Sequence, residues 1–173
     1  MTPIHIIGQP GAGKTTLVVE LVQTLVDRGV RVGTLKHSSH DHELDKKGKD
    51  SFLHRQAGAV PAAMVTGAMA AVYFPKGEKA SPHYLLDHYF KDLDISLIEG
   101  WISGPYPKIE VWRKSIGRPP LFFDISGVRA LVTDDELPPG IEERMDHDSL
   151  PTLSRSRVDE LADFIQELAR PLG

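Results

Sequence analysis

Eight residues near the start of the chain, Gly8-Gln9-Pro10-Gly11-Ala12-Gly13-Lys14-Thr15, satisfy the pattern G-x-x-x-x-G-K-[ST] in full. Gly8, Gly11 and Gly13 allow successive backbone N–H groups to turn inward around an anion, where side chains would block its approach. Lys14 is then set to reach the β- and γ-phosphates of a nucleotide, and the Thr15 hydroxyl to ligate Mg²⁺. Such a site also needs an acidic residue leaving a core strand near the phosphates. Leu97-Ile98-Glu99-Gly100 supplies Glu99, facing Mg²⁺ or a bound water, whereas Asp94 begins the same strand and stands at its wrong end. Lys14 and Glu99 are therefore the candidate catalytic residues, acting by positioning and electrostatic stabilisation. No residue is an obvious strong general base, which predicts slow turnover.

A second constellation lies in the polar stretch Lys36-His37-Ser38-Ser39-His40-Asp41-His42-Glu43-Leu44-Asp45, which holds three of the eight histidines. Following a strand, it emerges at the sheet edge where α/β proteins bind ligands. His37, His40 and His42 with Asp41 have the ligand types of a zinc or nickel site. Alternatively, Asp41 or Asp45 serves Mg²⁺ while Lys36, Lys46 and Lys49 meet phosphate groups. A solvated charged loop is the third reading.

These groups require elements to hold them. The β-branched run 4–7 reads as a buried strand. Residues 15–28 carry Leu17, Leu21 and Leu25 at helical spacing, with Gly29 placed for a left-handed cap. Residues 30–35 form the next strand, completing a βαβ unit and hence a parallel sheet with a right-handed crossover. Further on, the sequence predicts a short helix over 50–57 and a hairpin of strands 60–65 and 68–74 around Thr66-Gly67. A helix over 81–90 would be capped by Ser81, with Pro82 in its first turn. Strands are expected at 95–98, 108–113 and 128–132. The last helix spans 157–169, with Ser156 and Asp159 at capping-box spacing and Pro171 ending it. The class is α/β: a P-loop NTPase-type, mostly parallel sheet flanked by helices, with an antiparallel hairpin added. No linker or repeat interrupts it, so residues 1–173 are read as a single nucleotide-binding domain.

Composition sets the outer limits. Twenty Lys and Arg against 24 Asp and Glu leave a net charge of −4, which argues against nucleic acid as a partner. The absence of cysteine removes disulfides, thiolate metal sites and a Cys nucleophile, and fits a reducing compartment. No stretch approaches the roughly 20 apolar residues of a membrane span, and the start has no signal-peptide pattern. A cytoplasmic protein is expected.

In four stretches the chain resembles the molybdopterin-guanine dinucleotide biosynthesis adapter family, MobB. They are the phosphate loop through Thr16; Leu35-Lys36-His37 through Asp45-Lys46-Lys47-Gly48-Lys49-Asp50-Ser51; Arg55-Gln56-Ala57-Gly58-Ala59; and Ile98-Glu99-Gly100 with Lys108-Ile109-Glu110. The resemblance implies a GTP-binding protein with weak intrinsic hydrolysis, usually a homodimer. It would assist the guanylyltransferase MobA in attaching GMP to molybdopterin during molybdenum cofactor assembly. Carried over residue by residue, Gly11, Ala12, Gly13, Lys14, Thr15 and Thr16 hold the phosphates and Glu99 sits near Mg²⁺. The 36–51 loop, with Lys36, His37 and Asp45, lines the same pocket. The family's Lys-His-x-His-His has Ser39 in place of one histidine here, which weakens a metal reading of the loop.

Guanine selection has no Asn-Lys-x-Asp to rest on. The candidate is Thr133-Asp134-Asp135, where Asp134 could accept hydrogen bonds from the guanine N1–H and exocyclic amine, a pairing adenine does not offer; the alternative is a plain acidic turn. Two other functions fit a phosphate loop of this size. One is a small-molecule kinase, although no arginine-rich lid segment is identifiable. The other is a metallochaperone GTPase delivering nickel through the histidines.

Overall fold

The computed structural model describes residues 2–77, 80–141, 145 and 150–170. They form two compact units, one of Met1–His37 with Asp92–Gly173 and one of Ser38–Lys91. In the first unit, β1 (Ile4–Ile7), β2 (Val32–Lys36), β5 (Ile95–Glu99), β6 (Lys108–Val111), β7 (Val128–Val132) and β8 (Thr152–Leu153) make one sheet. Its order is β2-β5-β1-β6-β7-β8, and every pairing is parallel.

The side chains explain the layering. Ile4 and Ile6 of β1, Leu97 of β5 and Ile109 of β6 face Leu17, Leu21 and Leu25 of α1 (Lys14–Asp27) and Leu161 and Ile165 of α4 (Val158–Leu168). Burying each of these side chains contributes roughly 1.5–3 kcal/mol, so this interface is the main source of stability in the unit. A second cluster of Trp112, Leu131, Ile141, Met145 and Leu150 involves β7 and the segment after β6. At the end of α1, Gly29 takes the expected left-handed conformation (φ +77°). Arg28 of the same turn bridges to Asp159 at 2.8 Å and Asp163 at 2.7 Å on α4.

The second unit contains α2 (Asp50–Gln56), α3 (Pro82–Leu85) and a hairpin of β3 (Ala62–Val65) and β4 (Ala70–Tyr73). The hairpin closes through residues 66–69 rather than through Thr66-Gly67 alone, with the Thr66 N–H donating to the Met69 carbonyl at 2.8 Å. Ser81 caps α3 as its position suggested, its hydroxyl accepting from the Tyr84 N–H at 3.2 Å. The helix expected over 81–90 nevertheless loosens into a π-helical turn at Leu86–Phe90.

Two further expectations are corrected. The capping box at α4 does not form: Arg157 is the N-cap and no side chain caps it. The Ser156 hydroxyl lies 2.9 Å from Ser154 Oγ and 3.5 Å from Asp134, and Asp159 is held by Arg28. Both residues are committed elsewhere. Strand β8 was not foreseen, because a two-residue strand has no periodicity and exists through its pairing with β7. Pro171 lies outside the described residues.

Candidate functional site at the carboxyl ends of the strands

The loop between β1 and α1 is a glycine-built cradle. Gly8, Gly11 and Gly13 have φ of +142°, +82° and +91°, values that L side chains rarely adopt. Around Gly8 the constraint is also spatial, since a Cβ there would collide with the Val111 carbonyl; around Gly11 the space is open. Ala12 is fully buried, and its N–H closes the loop onto the Gln9 carbonyl at 3.1 Å. Gly13 is the N-cap of α1 and contributes no capping side chain. The first-turn N–H groups and the positive end of the helix dipole are therefore left for an external anion.

Lys14 folds back over this cradle and donates to the Gly8 and Gln9 carbonyls at 2.8 and 2.9 Å. Burial pushes its pKa down; nearby Glu99 opposes that shift and Lys36 reinforces it. One residue on, the Thr15 hydroxyl donates to Glu99 Oε1 at 2.7 Å, while the adjacent Thr16 is exposed. Parallel pairing of β2 with β5 places Lys36 opposite Glu99, and Lys36 Nζ lies 3.0 Å from the same Oε1. The His37 N–H donates to the Glu99 carbonyl at 3.0 Å, and its ring lies against Trp101, centroids 5.9 Å apart. Thus the sheet brings together Lys14, Thr15, Lys36, His37 and Glu99. A hydroxyl and a carboxylate 2.7 Å apart form a hard-oxygen pair suited to Mg²⁺, which would complete its shell from phosphate and water.

The remaining predicted residues are placed differently. Asp134 leaves β7 on the exposed side, and its Oδ1 accepts from the Ser154 hydroxyl at 2.6 Å and the Ser156 N–H at 3.3 Å. These bonds, that of Ser154 first, hold its pKa below the usual carboxylate value. Asp45 belongs to the second unit, where Oδ1 takes the Lys46 N–H at 2.8 Å and the Ser51 hydroxyl at 2.9 Å, and Oδ2 lies 3.5 Å from Arg55. Both of its oxygens thus fasten the turn that leads into α2. In the same unit His40 and His42 have ring centroids 6.4 Å apart, and among the described residues no three His, Asp or Glu side chains converge as a metal site.

Several participants escaped the sequence reading. Gln9 donates to the Pro119 carbonyl at 2.9 Å, and Glu110, fully buried on β6, accepts from the Leu121 N–H at 2.6 Å. Together they tie the 119–121 turn to the phosphate loop and to β6. Arg113, just beyond β6, packs its guanidinium against Gly13, so closely that a Cβ there would stand 2.8 Å from Nη2. The available signal was topological: β6 pairs directly with β1, so whatever follows β6 emerges beside the phosphate loop.

Known proteins share this chain's sequence pattern and fold. Residues 4–134 match the profile of the family described as molybdopterin guanine dinucleotide synthesis protein B, MobB. The chain belongs to the MobB family. Across 94% of the chain and 86% of the relative, it is 32% identical to a molybdopterin-guanine dinucleotide biosynthesis adapter protein of Haemophilus influenzae. It is also 32% identical to the Escherichia coli protein of that name, over 91% of the chain and 87% of the relative. The crystal structure of Bacillus subtilis MobB superposes with a TM-score of 0.73 at 21% identity, covering 98% of this chain and 99% of that one. The MobB fold is thereby shared: a six-strand parallel sheet with flanking helices and a small antiparallel sheet. No described helix is long and apolar enough to cross a membrane.

Proposed function

We propose that this MobB-family chain is a GTP-binding adapter of molybdopterin guanine dinucleotide synthesis. It assists a MobA-type guanylyltransferase as GMP is attached to molybdopterin. The observation that carries the reading is the Thr15–Glu99 contact at 2.7 Å beside an uncapped helix start, the oxygen pair of a Mg²⁺–nucleotide site. In the bound state Gly8, Gly11, Ala12, Gly13 and Thr16 supply the phosphate cradle. Lys14 leaves the Gly8 and Gln9 carbonyls for the β- and γ-phosphates, and Thr15 and Glu99 hold Mg²⁺, which neutralises phosphate charge. Asp134, kept ionised by Ser154, reads the guanine N1–H and amine.

Slow hydrolysis fits the same geometry, because Glu99, next to Thr15 and given over to Mg²⁺ in the bound state, is not free to take a proton from water. A homodimer is supported by the hairpin, whose register puts Val65 and Val72 on one face, 78% and 49% exposed, with Met69 72% exposed in the turn, apolar surface that a second copy would cover. Replacing Val65 and Met69 by Lys should then convert the dimer to monomer in light scattering.

The decisive experiment is calorimetric titration with GTP and with ATP in the presence of Mg²⁺. GTP should bind more tightly, and Lys14→Ala should weaken it by on the order of 100-fold through loss of a charge-assisted contact. Unchanged GTP affinity in that variant would remove the phosphate-loop assignment; equal affinity for ATP would remove the role of Asp134.

A further inference from the structure

Arg113 is an exposed residue whose position has a cost in the protein alone. Its guanidinium lies over Gly13, the N-cap of α1, where a Cβ would stand 2.8 Å from Nη2, 3.0 Å from Cζ and 3.3 Å from Nε. This is the positive end of the helix dipole, with uncapped N–H groups, and Lys14 is the next residue. A cation in such a place is repelled unless an anion joins it. Among the described residues no carboxylate forms an ion pair with Arg113.

The backbone holds it there firmly. The Trp112 N–H donates to the Val132 carbonyl at 3.0 Å, and its indole N–H to the Arg118 carbonyl at 2.8 Å. On the other side the Lys114 N–H donates to Asp135 Oδ2 at 2.8 Å, tying the segment to the turn that carries Asp134. Arg113 therefore stands between the phosphate loop and the base-reading turn, at the opposite end of the loop from the Lys36–Glu99 pair.

We infer that Arg113 is a nucleotide-binding residue, its guanidinium fork taking the α- and β-phosphates of the bound guanine nucleotide. The inference rests on the nucleotide reading above and adds a cation supplied in cis by the segment after β6. A planar fork matches two phosphate oxygens as an ammonium does not. The phosphates addressed are the two shared by GTP and GDP, whereas Lys14 and Mg²⁺ serve the γ end.

The test is calorimetry of wild type, Arg113→Ala and Arg113→Lys with GTP, GDP and guanosine. Arg113→Ala should weaken GTP and GDP equally, by on the order of 10- to 100-fold, and leave guanosine unchanged. Arg113→Lys should recover only part of the loss, and Arg113→Ala without ligand should melt no lower than wild type, because the exposed guanidinium is repelled there rather than held by an ion pair. Equal affinities in wild type and Arg113→Ala overturn the inference while wild-type GTP binding leaves the adapter reading intact. A loss confined to GTP overturns the α/β-phosphate assignment. Failure of wild type to bind GTP, in contrast, overturns the reading on which it rests.

Discussion

His5 and Glu110 make opposed contributions to the pH dependence of stability, and Glu110→Gln should expose one of them. Both side chains are fully buried. Burial first, then the Lys108 ammonium, lowers the His5 pKa from 6.5 to about 4, and burial raises that of Glu110 from 4.5 to about 7 despite the N–H groups of Leu121 and Phe122. For His5, the unfolded chain binds the extra proton between pH 4 and 6.5, so stability rises with pH across that window. For Glu110, the folded chain binds it between pH 4.5 and 7, so stability falls with pH. Each slope is about 1.4 kcal/mol per pH unit and each full effect about 3 kcal/mol. From pH 4.5 to 6.5 they cancel. Urea unfolding of wild type and Glu110→Gln at half-unit steps gives the difference directly, with all shared titrations removed. The variant should gain on wild type by about 1.4 kcal/mol per pH unit through this window. A difference independent of pH would mean that Glu110 titrates as an ordinary carboxyl and would refute the argument.

Three further outcomes follow from the geometry. Glu99→Gln should abolish most of the Mg²⁺ dependence of GTP affinity, measured by titration with and without the metal, because a neutral amide is a poor ligand beside Thr15. Gly8→Ala should destabilise the protein by about 2 kcal/mol or more in thermal unfolding, since a Cβ meets the Val111 carbonyl at φ +142°. Arg28→Ala should cost less than about 1 kcal/mol in the same measurement, because its partners Asp159 and Asp163 have side chains 84% and 72% exposed.

The sequence was most legible where local rules coincide. The β1–loop–α1 unit is marked at once by β-branched residues, glycines that demand positive φ and leucines at helical spacing. Glu99 could be read because an apolar strand ends on it. The partnership of Lys36 with Glu99 was not legible, since it depends on β2 pairing with β5, two strands separated by a whole compact unit. Arg113 and Glu110 were hidden for the same reason: their importance comes from β6 lying beside β1. Ser156 misled because a local capping pattern lost to a tertiary partner, Asp134, which no nearby residue announces.

If the chain binds nucleotide as proposed, the Lys36–Glu99 bond would give loading the character of an ion exchange. An ammonium already fills the electrostatic vacancy that a divalent ion would fill, so the carboxylate is not bare in the free protein. On the reading proposed above, Mg²⁺ arriving at Glu99 Oε1 would displace Lys36 from it, and the freed side chain would then be available to the incoming phosphates. The pocket therefore gains the metal's charge without surrendering its own.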